Sequence, residues 1–351
     1  QAINFIVTII LARLLTPTDF GLLGQVAVIT GLLSYFSDFG ILVSLIQKKD
    51  LTETDYNSAF YGMFIISLVL YTFVFMSAPY IANYYKNESL TSIVRILFLQ
   101  FFITQFCFIN EVLEIKNLNY KNIVNADLAS LAISGCSGII MAYTGFGVWS
   151  LVYQSLIKFF FRTFIIFFTT SWRPKLIFSF TSFYSLFTSG LHYLYRNLVK
   201  YFSENVDFFL IGKLAGSTVL GLYTIAFNMS SYPFTKVQMI FGQMVLPAFN
   251  LFNDDIEKVK KNYLKISQFG AIFLAPILVV IFFGVFHIVE LLLGYRWIGV
   301  VPIVKILVIY LMFSSVSFAD ESILISLNKI KAINMFKSIV SVFLAIIGYF
   351  S

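Results

Sequence analysis

The chain has 351 residues, of which 59% are hydrophobic and only 12% are charged, and its mean hydropathy is +0.87. Soluble domains carry about 25% charged residues, so this composition excludes a water-soluble fold and predicts an all-α polytopic membrane protein. The net charge of +7 does not indicate nucleic-acid binding, because most basic residues lie in loops between apolar segments. The two cysteines are too few for a disulfide framework.

Eleven apolar segments follow one another along the chain, and a helix that crosses a bilayer needs about 20 mainly apolar residues. None alternates in polarity with the period of two that strands of a membrane barrel require, so all are predicted to be helices. The first begins and the last ends inside an apolar run, which predicts that both are truncated. The segments span about residues 2–15, 20–47, 55–83, 90–114, 122–145, 147–171, 181–203, 217–250, 265–293, 301–327 and 332–351.

Basic residues are unevenly distributed between the loops that join these segments. Twelve lysines and arginines lie in loops after even-numbered segments, and four lie in loops after odd-numbered segments. By the positive-inside rule the even-numbered loops are cytoplasmic, so segments one and seven both run outward. One cytoplasmic connection, residues 253–265, is rich in charge and is predicted to form a short solvated helix.

An internal repeat relates the start of the chain to its middle. The block that begins at Ala12 aligns without gaps with the block that begins at Gly212, so that Arg13 matches Lys213 and Gly21 matches Gly221. Repeats of the same orientation are a common transporter design, with the substrate site at their interface. We therefore predict two parallel six-helix lobes around a central cavity: an N-terminal lobe over 1–171, a cytoplasmic linker over 172–180 and a C-terminal lobe over 181–351. The outer hairpins at Arg13 and Lys213 are predicted to lie at the rim of that cavity.

Some basic residues lie inside the segments, where an ionisable group costs about 2.5–3.5 kcal/mol and faces a cavity or a partner. Residues four apart share a helix face, so segments six and seven each carry a basic stripe. We predict that the stripes bind an anionic head group, with the alternative that Lys200 snorkels to the interface. The predicted ligands are Lys158, Arg162, His192, Arg196, Lys200 and Lys236.

Four acidic residues inside or beside the segments are predicted to pair with these cations or to couple transport to an ion. They are Asp38, Asp207, Asp320 and Glu321. The sequence carries no His-Glu-x-x-His motif, no Gly-rich phosphate loop with Lys and no Cys or His cluster, so neither an enzyme activity nor a metal or cofactor is predicted.

Several stretches resemble a known family. LARLLTPTDFGLLGQ (11–25), GFGVWSLVYQSL (145–156) and NVDFFLIGKLAGSTVLGLYTIA (205–226) are similar to bacterial polysaccharide flippases. These belong to the multidrug/oligosaccharidyl-lipid/polysaccharide (MOP) exporter superfamily, in its lipopolysaccharide and teichuronic acid exporter branch. The resemblance covers nearly the whole chain.

This resemblance implies a multi-pass protein of the bacterial inner membrane that moves an undecaprenyl-diphosphate-linked oligosaccharide to the outer leaflet. The product serves O-antigen, capsule or exopolysaccharide synthesis, and a polysaccharide polymerase is an implied partner besides the bilayer. Related lipid II flippases carry an Arg in segment eight, where this chain has Asn228 ahead of Pro233, so their cavity does not transfer directly.

Two alternatives remain open at the level of sequence. A drug/cation antiporter of the same fold would place acidic residues in the cavity, with Asp38 and Asp207 as candidates. A membrane polysaccharide polymerase or ligase would need a large outward loop with catalytic Arg or His, and no such loop is evident in the sequence.

Overall fold

A computed structural model of the chain describes residues 2–48, 50–250, 256–315 and 320. Within these ranges the regular structure is helical throughout, which confirms the predicted all-α membrane architecture. The helices are α1 (Ala2–Leu14), α2 (Pro17–Asp38), α3 (Ile41–Gln47), α4 (Glu53–Tyr84), α5 (Ser89–Leu97), α6 (Leu99–Gln105), α7 (Phe108–Lys116), α8 (Tyr120–Tyr143), α9 (Val148–Thr169), α10 (Phe180–Leu214), α11 (Gly216–Asn250), α12 (Ile256–Leu292) and α13 (Val300–Ser314).

The first nine predicted segments and the first half of the tenth coincide with these helices in order, and the eleventh lies outside the described residues. Five described helices are long and apolar enough to cross a membrane by themselves, and a sixth crossing results if the bent pair Ser89–Gln105 and Phe108–Lys116 counts as one. The five are α2, α4, α8, α9 and the part of α12 from Lys261. The total of eleven crossings stays a prediction.

Two helices after polar turns begin with the same local device. At the start of α2 the Thr16 hydroxyl accepts the Asp19 N–H, and the Asp19 carboxylate accepts the Thr16 N–H at 2.9 Å. Thr52 and Asp55 repeat this capping box at the start of α4. Each pair satisfies backbone donors that a helix leaves unpaired in its first turn, which is why a Thr-x-x-Asp turn can lie directly before an apolar helix.

Two predicted segments are broken rather than continuous. Phe39 and Gly40 adopt left-handed backbone angles, with φ of 45° and 72°, and this turn separates α2 from the short α3. Segment four is divided into α5, α6 and α7, with a bend of 51° before α7. In segment four the hydropathy changes little across the breaks, whereas the Phe39–Gly40 turn directly follows Asp38.

The chain folds into two compact units, residues 1–217 and 218–351. In the first unit, one apolar core joins α2, α4, α5 and α9 around Phe98, and a second joins α3, α4, α7 and α10 around Met63. Helix α10, which was predicted to open the C-terminal lobe, packs against α2, α3 and α4 of the first unit. In the second unit α12 packs against α13.

The charged connection predicted as a separate helix over 253–265 is different in its described part. From Ile256 onward it forms the first turns of α12, which continues without interruption to Leu292. The charged residues are therefore the polar N-terminal part of α12, and they do not form a separate helix.

Candidate functional site

The strongest charge cluster of the first unit lies where α7, α8 and α9 meet. Arg162 of α9 donates Nη1 and Nη2 to the two carboxylate oxygens of Glu111 at 3.0 and 2.7 Å, and donates Nε to Asp127 at 2.7 Å. The Arg162 side chain is 16% exposed, against 28% for Glu111 and 50% for Asp127. We call these three residues the arginine cluster.

The arginine cluster lies well inside the helices that carry it. Arg162 is seven residues from the end of α9, and Asp127 is seven residues from the start of α8, which at 1.5 Å per residue is about 10 Å from each helix end. The Arg162 guanidinium forms a bidentate pair with the Glu111 carboxylate, which is among the strongest geometries for an arginine ion pair. The cluster therefore joins three helices and carries one more negative charge than positive.

Glu111 and Asp127 are the residues that sequence reasoning missed. Neither Glu111 nor Asp127 is among the predicted cationic ligands or their predicted acidic partners. A signal did exist, since both Asp127 and Arg162 interrupt apolar segments at the same depth from the helix end. Charges at equal depth on consecutive antiparallel helices are candidates for pairing.

Lys158 differs from Arg162 although it lies one turn away on the same helix. It is half-buried at the middle of α9, and among the described residues no hydrogen bond, ion pair or aromatic contact engages it. An ammonium group at this depth needs water or an anionic ligand, because neither lipid nor a protein acceptor satisfies it.

The other predicted cations are placed as follows. Lys200 is exposed and lies 3.8 Å from Glu204, one turn further along α10. Lys236 is half-buried with Nζ 5.5 Å from the Tyr232 ring centroid. His192 and Arg196 are on α10, but their side chains lie outside the described structure.

Two of the four predicted acidic residues accept hydrogen bonds within the described structure. The Asp38 carboxylate accepts the Gly40 N–H at 2.9 Å and so stabilises the left-handed turn after α2. Asp320 accepts a hydrogen bond from the Tyr263 hydroxyl at 2.7 Å. Asp207 lies on α10, and Glu321 lies outside the described residues.

The two blocks of the predicted repeat are in contact within residues 1–217. Arg13 and Lys213 are both exposed, and Lys213 Nζ lies 4.5 Å from the centroid of the Tyr84 ring. Gln25 Nε2 donates to the Gly212 carbonyl at 3.0 Å. The N-terminal block of the predicted repeat thus touches the start of the second block directly, although no observation tests the repeat itself.

In the described residues no group of three or more His, Cys, Asp or Glu side chains has the arrangement of a metal site. Cys107 is buried in the break between α6 and α7, with Sγ 3.6 Å from the Thr163 hydroxyl, whereas Cys136 is exposed on α8.

Comparison with known proteins identifies relatives over most of the chain. A family of polysaccharide biosynthesis proteins (Polysacc_synt_3) matches residues 10–302. The lipopolysaccharide biosynthesis protein WzxC of Escherichia coli (strain K12) is 25% identical over 97% of this chain and 70% of its own length. The teichuronic acid biosynthesis protein TuaB of Bacillus subtilis (strain 168) is 23% identical, and the succinoglycan biosynthesis transport protein ExoT of Rhizobium meliloti (strain 1021) is 21% identical. The chain covers 57% and 62% of the lengths of these last two proteins.

A solved structure has the same fold. It is a multidrug resistance MATE family transporter of the MOP superfamily in an inward-facing conformation, with a TM-score of 0.74. The two chains are 13% identical, and the match covers 98% of this chain and 84% of the transporter. The chain therefore belongs to the family of polysaccharide biosynthesis proteins and has the fold of the MOP superfamily.

Proposed function

We propose that the protein is a flippase of the bacterial inner membrane that moves an undecaprenyl-diphosphate-linked oligosaccharide to the outer leaflet for surface polysaccharide synthesis. The observation that carries the proposal is the match of residues 10–302 to the polysaccharide biosynthesis family. The transporter fold supports movement of a substrate rather than its chemical conversion.

Lys158 is the described residue that best suits the anionic part of such a substrate. A diphosphate carries at least two negative charges, and an ammonium group is a common phosphate ligand. The Arg162 guanidinium already donates three of its five N–H groups to two carboxylates, which compensate its charge, so Arg162 is less suited than Lys158 to bind phosphate. Lys236 and the positions of Arg196 and His192 remain candidates for further head-group contacts.

Complementation tests this proposal. The full-length protein is expressed in a strain that lacks its O-antigen flippase, and lipopolysaccharide is analysed by gel electrophoresis. We expect the wild type to restore long-chain glycan, Lys158→Met to lose most of it, and Lys158→Arg to retain it. Lys121→Gln, which removes an exposed charge in the first turn of α8, is the matched control and should behave as the wild type.

Two results contradict the proposal at different levels. If Lys158→Met restores glycan fully at equal membrane abundance, Lys158 is not a head-group ligand. If the wild type restores no glycan but lowers cellular accumulation of cationic drugs, the protein is an antiporter of the same fold.

A further inference from the structure

We propose that Arg95 binds the phosphate of an anionic phospholipid at a lipid-facing site between α4 and α5. The site consists of Phe75 and Pro79 on α4 and Arg95 on α5, and we call it the Arg95 site. Lys158 and the arginine cluster lie on α7, α8 and α9, so the Arg95 site is separate from them. The proposal goes beyond glycan export, because it concerns a lipid that stays bound to the protein rather than one that is moved.

Pro79 deprives one carbonyl of α4 of its helical hydrogen bond. In an α-helix each N–H donates to the carbonyl four residues before it, and proline has no N–H, so the Phe75 carbonyl loses its backbone donor. Phe75 and Pro79 are exposed, whereas Val74 and Ala78 are buried in the apolar core. The carbonyl therefore lies on the lipid-facing side of α4, where a missing donor is costly because no water replaces it.

Arg95 supplies the donor that Pro79 lacks. Its Nε donates to the Phe75 carbonyl at 3.2 Å, and its Cζ lies 4.2 Å from the centroid of the Phe75 ring. Because a cation is attracted to the face of an aromatic ring, one residue of α4 makes two contacts with the guanidinium. Together these contacts hold the position and the plane of the guanidinium before any ligand binds.

The terminal nitrogens of Arg95 remain available to an anion. Nη1 and Nη2 carry four of the five N–H groups of arginine, and within the described part of the chain no carboxylate or carbonyl accepts from them. Arginine is not deprotonated in proteins, so this half-buried side chain keeps an uncompensated positive charge. A planar pair of terminal nitrogens matches two oxygens of a phosphate group, which makes phosphate the best-fitting anion.

The depth of the Arg95 site places it near the phosphate layer of a bilayer. The 32 residues of α4 are about 48 Å long, so a centred helix extends about 9 Å beyond each side of a hydrocarbon core about 30 Å thick. Phe75 lies nine residues before the end of α4 at Tyr84, which is about 4 Å inside the core boundary. Helical side chains lean toward the N-terminus of their helix, so Arg95 reaches toward that boundary, on the outer side in the predicted orientation.

The uncompensated charge favours an anionic phospholipid over a zwitterionic one. In phosphatidylcholine a quaternary ammonium group lies beside the phosphate, and the guanidinium repels it. Phosphatidylglycerol carries the same phosphate without that cation. Since charges interact more strongly where the dielectric constant is low, we expect the Arg95 site to prefer phosphatidylglycerol.

Photo-cross-linking of lipid to the full-length protein tests the proposal. The substitution Leu99→p-benzoylphenylalanine places the photoreactive group four residues after Arg95, at a position that is 36% exposed. The protein is reconstituted in vesicles of phosphatidylglycerol and phosphatidylcholine in equal amounts, and the captured lipid is identified by mass spectrometry. We expect phosphatidylglycerol to be captured about tenfold in excess, which corresponds to a difference in binding free energy of about 1.4 kcal/mol.

The variant Arg95→Gln isolates the terminal nitrogens. Glutamine Nε2 is as many bonds from Cα as arginine Nε, so it can still donate to the Phe75 carbonyl, while the charge and the two terminal nitrogens are removed. We expect this variant to capture both lipids equally. Should it fail to fold, Pro79→Ala restores the backbone donor, and Arg95→Gln is then tested in combination with Pro79→Ala.

A second photoreactive position controls for changes in the bilayer itself. Ile140, which is 63% exposed near the end of α8, receives the same substitution, and Arg95→Gln should not alter the lipid ratio captured there. Equal capture ratios at Leu99 with and without Arg95→Gln would overturn the proposal, because water would then satisfy the terminal nitrogens. Displacement of phosphatidylglycerol by added farnesyl diphosphate would also overturn it, because the Arg95 site would then bind the transported class of lipid. Neither result depends on glycan export.

Discussion

Removal of the Arg162 side chain separates a structural role for this residue from a role in substrate binding. In Arg162→Met the carboxylates of Glu111 and Asp127 lose the cation that holds both of them. They remain as two neighbouring negative charges, with Asp127 about 10 Å inside the start of α8. We therefore expect the variant to be less stable, with α7, α8 and α9 no longer joined at this point.

The size of this loss of stability depends on how exposed each residue of the arginine cluster is. Loss of one partner of a fully buried ion pair costs about 3–5 kcal/mol, whereas exposed pairs contribute about 0–1 kcal/mol. Arg162 at 16% exposed is near the buried limit, and Asp127 at 50% is near the exposed limit. Between these limits we expect the free energy of unfolding to fall by about 2–4 kcal/mol.

Removal of all three charges should restore the stability. Replacement of a whole buried ionic group by apolar residues is often neutral or stabilising. The triple variant Arg162→Met, Glu111→Leu, Asp127→Leu is therefore expected to unfold like the wild type. Lys158→Met is the matched control, because it removes a cation one turn away on the same helix that has no partner among the described residues, and it should not lower the free energy of unfolding.

Unfolding of the purified protein by sodium dodecyl sulfate in mixed micelles, followed by tryptophan fluorescence, measures these differences. The reasoning is refuted if Arg162→Met unfolds within about 0.5 kcal/mol of the wild type. It is also refuted if the triple variant is as unstable as the single one, because the loss would then come from packing rather than from unpaired charge.

Three further substitutions test the fold that carries the site. Gly190→Ala should destabilise the protein by about 1–3 kcal/mol through overlap with the Phe39 carbonyl, whereas Gly284→Ala, with only a 3.6 Å side-chain neighbour, should be neutral or stabilising in the same unfolding assay. Asn57→Ala leaves the Lys175 N–H without its buried acceptor, and limited proteolysis should then cut the 170–179 connection several times faster. Asp19→Ala removes the capping box of α2 and should cost about 1 kcal/mol, measured as a lower unfolding midpoint.

The helices were predictable because each apolar run can be recognised from its own residues alone. A run of about 20 apolar residues can satisfy its backbone only as a helix in a bilayer, so the segments were found without knowledge of their neighbours. The turn at Thr16 was equally readable, because its Thr-x-x-Asp spacing is itself the capping device.

The partners of each helix were not predictable in the same way. The packing of α10 depends on which glycines face which helix, as in Gly62 under Phe183 and Gly190 against Phe39. These pairs are more than 100 residues apart, and hydropathy in a uniformly apolar chain does not mark a contact face. The left-handed turn at Phe39–Gly40 does have a local signal, because Asp38 lies directly before it and its carboxylate accepts the Gly40 N–H.

The charged residues inside the predicted segments differ in whether they already have a partner in the protein. Taken with Lys158, the arginine cluster sums to zero, two cations against two carboxylates. Its internal contacts satisfy Arg162 but leave Lys158 without an acceptor among the described residues, and for this reason we propose different roles for these two residues of one basic stripe. If Lys158 binds the head group and the arginine cluster only joins helices, the apolar triple variant keeps the ligand and loses only a structural contact. It should then export glycan at near wild-type levels while Lys158→Met, equally stable, does not. An arrangement in which Arg162 itself binds the diphosphate would give the opposite order, with the triple variant inactive although fully folded.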